Sequence, residues 1–300
     1  MNTITSEQNQ DRQIHRLAAQ RQLYAKAKVV LGSQLILAGP LTVVLAVLVN
    51  LYPDLKVYVS LWGLGLALCD LLWLTPWQKG LRRAAALLQE CFDCDVLSLP
   101  WNGLKAGRRP DPELIQEQAR KYERRAKNMP PLSDWYAPDV GRLPLHIGRV
   151  ACQHSNCWWD SKLRRRYGAC IAASLVLVFL SVLRLALRYQ LTIEDFFLKV
   201  VVPLLPMFLL GIRQVKEQWQ TAKRLDELKK HAESLWASAV DGEPESEITA
   251  RSRDLQDEIF ESRKRGPLVF DRFYKRLQPH YEEQMNRGLA ELVAEAESKL

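Results

Sequence analysis

Four long apolar stretches interrupt an otherwise polar chain of 300 residues, and they decide what the chain can fold into. The first has no charged side chain, the second only Asp70 and the third only Arg184, while the shorter fourth contains Lys199. Because an α-helix rises about 1.5 Å per residue, about 21 residues cross the roughly 30 Å hydrocarbon core of a bilayer. We therefore predict a mainly all-α integral membrane protein with four transmembrane helices in two pairs. The stretches are residues 29–49, 57–77, 167–187 and 196–212.

Basic residues flank these stretches asymmetrically. The two short links, residues 50–56 and 188–195, hold few charges, whereas Lys and Arg cluster before the first and third stretches and after the second and fourth. The positive-inside rule then places the N terminus, the C terminus and the long middle segment in the cytoplasm. We interpret the net charge of +8 mostly as a means of attracting the polar segments to the anionic inner leaflet.

The chain divides accordingly into five segments. The two larger polar ones have about 90 residues each, which is near the lower limit for an independent hydrophobic core, so we expect them to pack together. The segments are an N-terminal cytoplasmic helix at 1–28, transmembrane helices one and two at 29–77, a cytoplasmic domain at 78–166, transmembrane helices three and four at 167–212, and a helical cytoplasmic tail at 213–300.

Apolar periodicity and turn residues predict the local elements. A helix from about His146 is expected to continue into the third stretch, and the seam at 215–239 to continue the fourth as one long helix. Residues 93–103 lose the helical period and could hold a short strand and turn. The remaining expectations are helices at 6–28, 78–91, 111–127 and 247–265, two shorter ones at 269–277 and 281–299, and an irregular loop at 129–145.

Asp70, Pro203 and Pro206 are the unusual residues inside the predicted spans. A carboxylate at that depth is costly unless it is paired or hydrated, so Asp70 faces a pore or a neighbouring subunit, or is a protonated and packed carboxyl. The two prolines each remove a backbone donor, which predicts a kink or hinge. We take these three residues as the candidate pore and gating residues.

Catalytic motifs are not found in the sequence. No phosphate-binding Walker loop, nucleophile elbow or paired-histidine zinc motif occurs, so we predict no enzymatic activity, no catalytic residue and no cofactor. Cys91, Cys94, Cys152 and Cys157, with His154 between the last two, contain enough ligands for zinc. Reduced, partly buried thiols are the alternative that we favour.

Aromatic, amide and basic residues are grouped in the middle segment. Arg149, Gln153, Asn156 and Asp160 fall on one face of a helix. Such a face could supply amide hydrogen bonds and a guanidinium for phosphate, with aromatic rings for base stacking. Alternatively, it is a polar network that supports the third span from below. The other residues of this group are Trp101, Asn102, Trp135, Tyr136, Trp159 and Arg164.

Five short segments give the chain a resemblance to a known family. In their order, and with two spans on either side of the middle domain, they resemble the SMODS-associated four-transmembrane effector family of bacterial antiphage signalling. The resemblance covers most of residues 10–240. The segments are residues 17–28, 91–102, 134–136, 143–145 and 149–164.

The resemblance implies an effector of cyclic-oligonucleotide-based antiphage signalling (CBASS). A partner nucleotidyltransferase makes a cyclic di- or trinucleotide, the cytoplasmic sensor domain at 78–166 binds it, and the oligomeric effector permeabilises the membrane and causes abortive infection. We expect no polymeric nucleic acid as a partner. The candidate ligand contacts are Trp101, Trp135 and Tyr136 for stacking, Arg149 and Arg164 for phosphate, Gln153 and Asn156 for base edges, with Asn102 and Trp159 beside them.

A second hypothesis comes from the tail. The near-heptad seam at 215–239 is typical of coiled coils, so the chain could instead be a membrane-anchored scaffold that recruits a partner protein and forms no pore.

Overall fold

A computed structural model describes residues 2–125 and 132–299, and all regular structure in these ranges is helical, with no strand. The prediction of a mainly α-helical chain is confirmed. Two 3-10 turns, Pro53–Leu55 and Pro138–Arg142, and two π-helical turns, Asp70–Leu74 and Phe197–Val201, join the α-helices. The helices are α1 Ile4–Glu7, α2 Asp11–Ala38, α3 Pro40–Leu51, α4 Lys56–Cys69, α5 Thr75–Val96, α6 Gly103–Ala106, α7 Pro112–Arg125, α8 Leu145–Arg188, α9 Ile193–Phe196, α10 Val202–Val240, α11 Glu245–Arg265 and α12 Asp271–Lys299.

Within the described ranges, three helical stretches are long and apolar enough to cross a membrane: Asp11–Val49, Pro53–Val96 and Leu145–Arg188. They contain the first three predicted spans, so the chain has the helices of a membrane protein. The fourth predicted span, residues 196–212, is helical but is not among them. Its apolar part within α10 is only about three turns long before Arg213. Four spans in two pairs therefore stay a prediction.

The N-terminal helix and the first predicted span form one helix that bends at residues 39 and 40. Gly39 leaves helical geometry, with φ −107° and ψ −95°, and Pro40 restarts the helix as α3. A Cβ at Gly39 would lie 3.0 Å from the carbonyl oxygen of Leu35, so a larger residue would crowd the backbone. Proline is tolerated in the first turn because its missing N–H has no partner there.

Both π-helical turns lie beside residues that were singled out in the sequence. Asp70 begins one of them, and Phe197–Val201 ends just before Pro203 in the first turn of α10. Pro206 lies inside α10. A π-turn adds one residue to a helical turn. The changed hydrogen-bond pattern helps the backbone accommodate the N–H donor that is missing at a nearby proline.

Helices α8 and α10 run antiparallel and pack along their lengths. Glycines allow the close approach: a Cβ at Gly168 would lie 2.8 Å from the Trp219 ring, and one at Gly211 would lie 2.7 Å from Leu175. Farther along, Phe179 and Phe208 meet edge to face at 6.4 Å. The two long helices therefore form a hairpin that joins the third predicted span to the seam of the tail.

One hydrophobic core collects residues from the N-terminal helix, the middle segment and the tail. Its fully buried side chains come from segments far apart in sequence, as expected because neither polar segment is large enough to form a core alone. They include Leu17, Phe92, Ile147, Leu235, Ile259 and Leu289.

Three local predictions were wrong or lie outside the described residues. Residues 93–96 continue α5, because Phe92 and Val96 extend its buried face, and no strand occurs between 93 and 103. The last two predicted helices are one helix, α12, in which Pro279 occupies an exposed position. The predicted end of the third cytoplasmic helix at Lys127 and the start of the loop at 129–131 lie outside the described residues.

Candidate functional site

Two adjoining cavities, of about 270 and 210 Å³, lie between the N-terminal helix, the middle segment and the tail. They share five lining residues, and we call their union the aromatic cleft. Binding pockets for small ligands are about 300–1,000 Å³, so the union is large enough for a nucleotide-sized ligand. The shared residues are Gln20, Tyr24, Lys28, Trp135 and Tyr274.

Aromatic rings form much of the wall. Trp135 comes from the loop before α8, Trp159 from α8 and Tyr274 from α12, and all three are partly exposed. The Trp159 and Tyr274 ring centroids are 6.2 Å apart at an angle of 53°. Partly exposed aromatic rings that line a cavity can stack on nucleobases.

Cationic side chains border the same space. The Arg21 guanidinium carbon lies 5.7 Å from the centroid of the Trp135 ring, and Lys28 forms an ion pair with Asp271. Arg164 and Arg263 line the inner part. Guanidinium groups bind phosphate oxygens through paired, charge-assisted hydrogen bonds, so the cleft combines stacking surfaces with phosphate-binding groups. The other basic lining residues are Arg125 and Lys275.

Tyr24 contributes a neutral hydroxyl to this wall. Its burial, opposed in part by nearby arginines, raises its pKa to about 12, so it stays protonated at physiological pH. Burial also raises the pKa of Tyr274. Both hydroxyls can therefore donate a hydrogen bond to an acceptor in the cleft.

Four of the nine predicted ligand contacts line the cleft: Trp135, Asn156, Trp159 and Arg164. Asn156 also donates from Nδ2 to the Tyr136 hydroxyl at 3.0 Å. The structure thus places these four residues around one space, as a shared binding role requires.

Tyr136 lies behind the wall and belongs to a buried chain of hydrogen bonds. Its hydroxyl donates to Asp93 at 2.7 Å, and Asp93 also accepts from Arg263 and from Gln256. Burial, together with the negative charge of Asp93, raises the pKa of Tyr136 well above its ordinary value. The chain connects two residues of the cleft, Asn156 and Arg263, through the protein interior.

Arg149 and Gln153 are buried and do not line the cleft. Arg149 donates from Nε to the carbonyl oxygen of Leu97 at 2.6 Å and from Nη1 to Thr249 at 2.9 Å. Gln153 donates to the carbonyl oxygen of Ser252 at 2.9 Å, and the Ser252 hydroxyl donates back at 2.7 Å. The bonds to Thr249 and Ser252 tie α8 to α11, and the bond to Leu97 ties α8 to the residue after α5. Such a polar network is what the alternative hypothesis described. A role of Arg149 and Gln153 as ligand contacts stays a prediction.

Trp101 and Asn102 lie on the loop before α6, away from the cleft. The Asn102 side chain caps α6 by accepting from the backbone N–H of Leu104 at 3.1 Å. Trp101 donates from Nε1 to Gly107 at 2.8 Å, with the Arg109 guanidinium 5.0 Å from its ring centroid. Their predicted ligand contact likewise stays a prediction.

The sequence reasoning missed Tyr24, Lys28, Arg263 and Tyr274 as lining residues. The first two could have been found, because the segment 17–28 that carries the family resemblance presents Gln20, Tyr24 and Lys28 at steps of four, on one helical face. The other two come from the tail, whose sequence has no comparable motif.

An extended segment, residues 266–270, connects α11 to α12 and borders the cleft. We call it the strap. Three consecutive carbonyl groups of the strap each accept a hydrogen bond from a different helix that runs into a predicted span. The bonds are Arg82 Nη1 of α5 to Gly266 at 3.1 Å, Arg164 Nη1 of α8 to Pro267 at 2.6 Å, and Gln218 Nε2 of α10 to Leu268 at 2.9 Å.

A larger cavity of about 530 Å³ lies among the predicted spans, on the other side of the strap. Asp70 and Pro206 line it, whereas Pro203 does not. Asp70 accepts from Gln34 Nε2 at 2.5 Å and from the Thr75 hydroxyl at 3.2 Å. Pro267 and Leu268 line both this cavity and the cleft, so the strap separates the two spaces.

The cysteines considered for zinc are free and buried. Across residues 2–125 and 132–299, no group of three or more His, Cys, Asp or Glu side chains could hold a metal ion. Burial raises the pKa of the Cys157 thiol to about 12, and that of Cys152 well above its ordinary value. These properties favour reduced, packed thiols.

Comparison with known proteins gives a consistent result. Residues 2–292 match the model of the SMODS-associating 4TM effector domain family. A probable CBASS effector molecule from Bacillus cereus (strain VD146) is 24% identical over 270 residues, which cover 86% of each chain. No solved structure has significant similarity to the chain.

Proposed function

Because the chain belongs to the family of SMODS-associating 4TM effector domains, we propose that it is a CBASS effector that binds a cyclic oligonucleotide in the aromatic cleft. The family and the Bacillus relative both point to an antiphage effector. In this context the signal is a cyclic di- or trinucleotide made by a partner nucleotidyltransferase. The proposed outcome is permeabilisation of the inner membrane and abortive infection, with no catalytic step in the chain itself.

The observation that carries the proposal is the convergence of rings and guanidinium groups on one space. A cyclic oligonucleotide presents planar bases and anionic phosphates close together. Trp135, Trp159 and Tyr274 offer stacking faces, and Arg164 and Arg263 offer phosphate-binding groups. We assign stacking to the three rings, phosphate contact to the two arginines, and a base-edge contact to Asn156.

The strap supplies the proposed link from ligand to membrane. A phosphate bound by Arg164 competes with the carbonyl oxygen of Pro267 for the same guanidinium. Loss of that bond frees one of three ties between the strap and the helices of the predicted spans. A ligand shifts the equilibrium between a closed and an open state only if it binds the open state more tightly. Competition for the Arg164 guanidinium provides this difference in affinity, because the phosphate binds more tightly once the bond to Pro267 is broken.

The proposed pore region is the cavity that contains Asp70 and Pro206. It lies against the strap and is lined by α2, α4, α5 and α10. Asp70 gives it a polar centre between apolar helices, and the neighbouring π-helical turns are places where a helix can change its register at low cost. We propose that several copies of the chain assemble around this region, as the small number of spans in one chain suggests.

The scaffold hypothesis has less support. The seam at 215–239, which would recruit a partner, packs inside the chain itself, with Ala222, Leu225, Leu235 and Ala239 buried against α8 and α11. A partner would have to displace this core before it could bind the seam.

The decisive experiment measures ligand-triggered leakage. Purified full-length protein is placed in liposomes of inner-membrane lipids loaded with a self-quenching dye, and cyclic di- and trinucleotides are added one at a time. We expect one of them to start dye release at a concentration that saturates binding. Equal leakage with and without every nucleotide, in protein that binds one of them, would refute the pore and favour the scaffold.

A further inference from the structure

The cavity among the predicted spans has two chemically different ends. The part farther from the strap is lined mostly by aliphatic side chains, with the polar Gln34, Thr42, Asp70 and Thr75 among them, and the end beside the strap is basic. Charged groups of this kind at the cytoplasmic end of spans are placed where lipid headgroups lie. The aliphatic residues include Leu31, Leu37, Leu66, Ala67 and Leu210, and the basic ones are Lys79, Arg82, Arg213 and Arg265.

The basic end is only partly neutralised by the protein. Glu217 is the acidic residue that lines it, and it accepts from Arg213 at 2.8 Å. Arg265 pairs with Glu261 at 3.0 Å, and the Lys79 side chain is exposed. The end therefore keeps a net positive charge beside a strip of apolar surface.

Arg82 is the most informative of the four. Its Nη1 donates to the strap at Gly266, but its Nε is buried and has no hydrogen-bond partner in the described structure. Burial lowers its pKa, so its charge is held at a cost in free energy. A buried donor without a protein partner is uncommon in folded proteins, and a headgroup oxygen bound beside Arg82 would supply an acceptor for it.

From these features we infer that the cavity binds an anionic phospholipid. The headgroup phosphate contacts Lys79, Arg82 and Arg213, and an acyl chain lies along the aliphatic part. Basic pockets between transmembrane helices are known to hold anionic headgroups. The aliphatic lining selects a lipid over a free phosphate ion, because a soluble anion would leave that surface without a partner.

The bound lipid would fill the gap between α5 and α10 next to the strap. It would therefore contact the same helices that the strap ties together. The same cavity is the proposed pore region, so the lipid would occupy it in the closed state and would have to leave before the pore conducts. The test below contains no nucleotide and measures no conduction, so its failure would leave the proposed function untouched.

The test uses full-length protein in detergent and a phosphatidylglycerol with a fluorescent label on its acyl chain. A phosphatidylcholine with the same chains and label is the neutral counterpart. We expect the wild type to bind the anionic lipid at least about tenfold more tightly than the neutral one, because each basic group near a headgroup adds to the attraction. Equal affinities for the two lipids would overturn the inference.

Two double variants separate this cavity from general attraction to a basic surface. Lys79→Gln/Arg213→Gln removes two cavity residues, whereas Arg83→Gln/Lys216→Gln removes two exposed neighbours on the same helices that do not line the cavity. We expect the first to lose about tenfold in affinity for the anionic lipid and the second to change little. An equal loss of affinity in both double variants would show that the lipid is attracted nonspecifically to the basic surface, and would refute the site.

A third variant tests the acyl-chain part without changing any charge. Ala67→Phe fills the aliphatic end, so it should weaken binding of the labelled phosphatidylglycerol several-fold. Glycerol phosphate, which carries the headgroup charge without acyl chains, should fail to compete at the concentration where unlabelled phosphatidylglycerol competes fully. Unchanged binding by Ala67→Phe, or equal competition by glycerol phosphate, would show that a free anion is sufficient.

Discussion

Arg164 donates a 2.6 Å hydrogen bond from Nη1 to the backbone carbonyl oxygen of Pro267, and so connects the helix of the third predicted span to the strap. The same guanidinium bonds Asp160 at 2.9 Å and Gln218 at 3.1 Å. Arg164 also lines the aromatic cleft. One side chain thus bonds its own helix, α10 and the strap, and also faces the proposed ligand.

Replacing Arg164 by alanine should weaken both the fold and ligand binding. Hydrogen bonds of charged groups contribute about 1.5–3 kcal/mol, so we expect roughly 2 kcal/mol less stability and at least about tenfold weaker nucleotide affinity. Thermal unfolding and equilibrium binding in detergent measure the two effects. Arg165→Ala, which removes a more exposed neighbour paired with Asp226, is the control and should change neither by much. Equal effects in both variants would contradict the assignment.

Gly266→Ala should loosen the strap. A Cβ at this position would lie 2.8 Å from the carbonyl oxygen of Ser262 and 3.1 Å from Arg164 Nη2, and a backbone oxygen cannot move aside easily. We expect a destabilisation of about 1–3 kcal/mol and leakage of liposomes without ligand. At Gly288, in α12, a Cβ would meet no atom within 4 Å, so Gly288→Ala should be neutral or slightly stabilising.

Trp135→Ala tests the location of the ligand. Loss of one base-stacking ring costs about 1–3 kcal/mol, so affinity should fall roughly 5- to 150-fold, and Trp135→Phe should restore part of it. Because the Trp135 ring also contacts Phe92 at 6.1 Å, unfolding of each variant is measured alongside. Trp101 lies outside the cleft, so Trp101→Ala should keep the wild-type nucleotide affinity. A greater loss of affinity in Trp101→Ala than in Trp135→Ala would indicate that the ligand binds at the loop before α6.

His154 should make stability depend on pH. Burial lowers its pKa below the ordinary value of 6.5, although Glu233, 3.4 Å away, opposes the shift. The unfolded chain then binds more protons between the two values, so the stabilisation is complete above pH 6.5 and is lost as the pH falls. Between pH 7.5 and 5.5 the unfolding midpoint of His154→Gln should fall less than that of the wild type. Parallel curves would show that another group is responsible.

Asp70→Asn should alter permeation and leave binding intact. The amide keeps the size of the side chain. Its oxygen can accept from Gln34 and its NH2 group can donate to the Thr75 hydroxyl, so the fold should persist. Removal of a negative charge from the proposed pore should slow ligand-triggered release of a cationic dye more than release of an anionic one. If Asp70→Asn leaves the ratio of cationic to anionic dye release at its wild-type value, Asp70 lies outside the permeation path.

The helices were predictable because their signals are local. The apolar stretch and the amphipathic period carry α8 from Leu145 to Arg188, and the seam residues continue α10 to Val240. Local signals also misled: the two short helices predicted at 269–277 and 281–299 are one helix, α12, which continues through Pro279. The fourth predicted span was harder to predict because its apolar run is short and contains Lys199.

The composition of the cleft depended on contacts that a sequence does not display. Trp135, Trp159 and Arg164 could be named from residue type and spacing, but Arg263 and Tyr274 join them only because the tail folds back over α8. Arg149 and Gln153 share a helical face with Asn156, yet a face alone does not tell whether a neighbouring helix covers it. Here α11 does. Its polar groups bond Gln153 and one nitrogen of Arg149, and the carbonyl groups of Leu97 and Ser98 accept from the other two nitrogens.

The uninterrupted course of α8 has a mechanical consequence. Arg164 and Arg188 lie on one rod, about 36 Å apart at 1.5 Å per residue. If the rod pivots near Arg164 by only about 5°, its far end sweeps sideways by roughly 3 Å, the width of a water molecule. A displacement near Arg164 too small to notice locally is thereby magnified at the far end of the third predicted span.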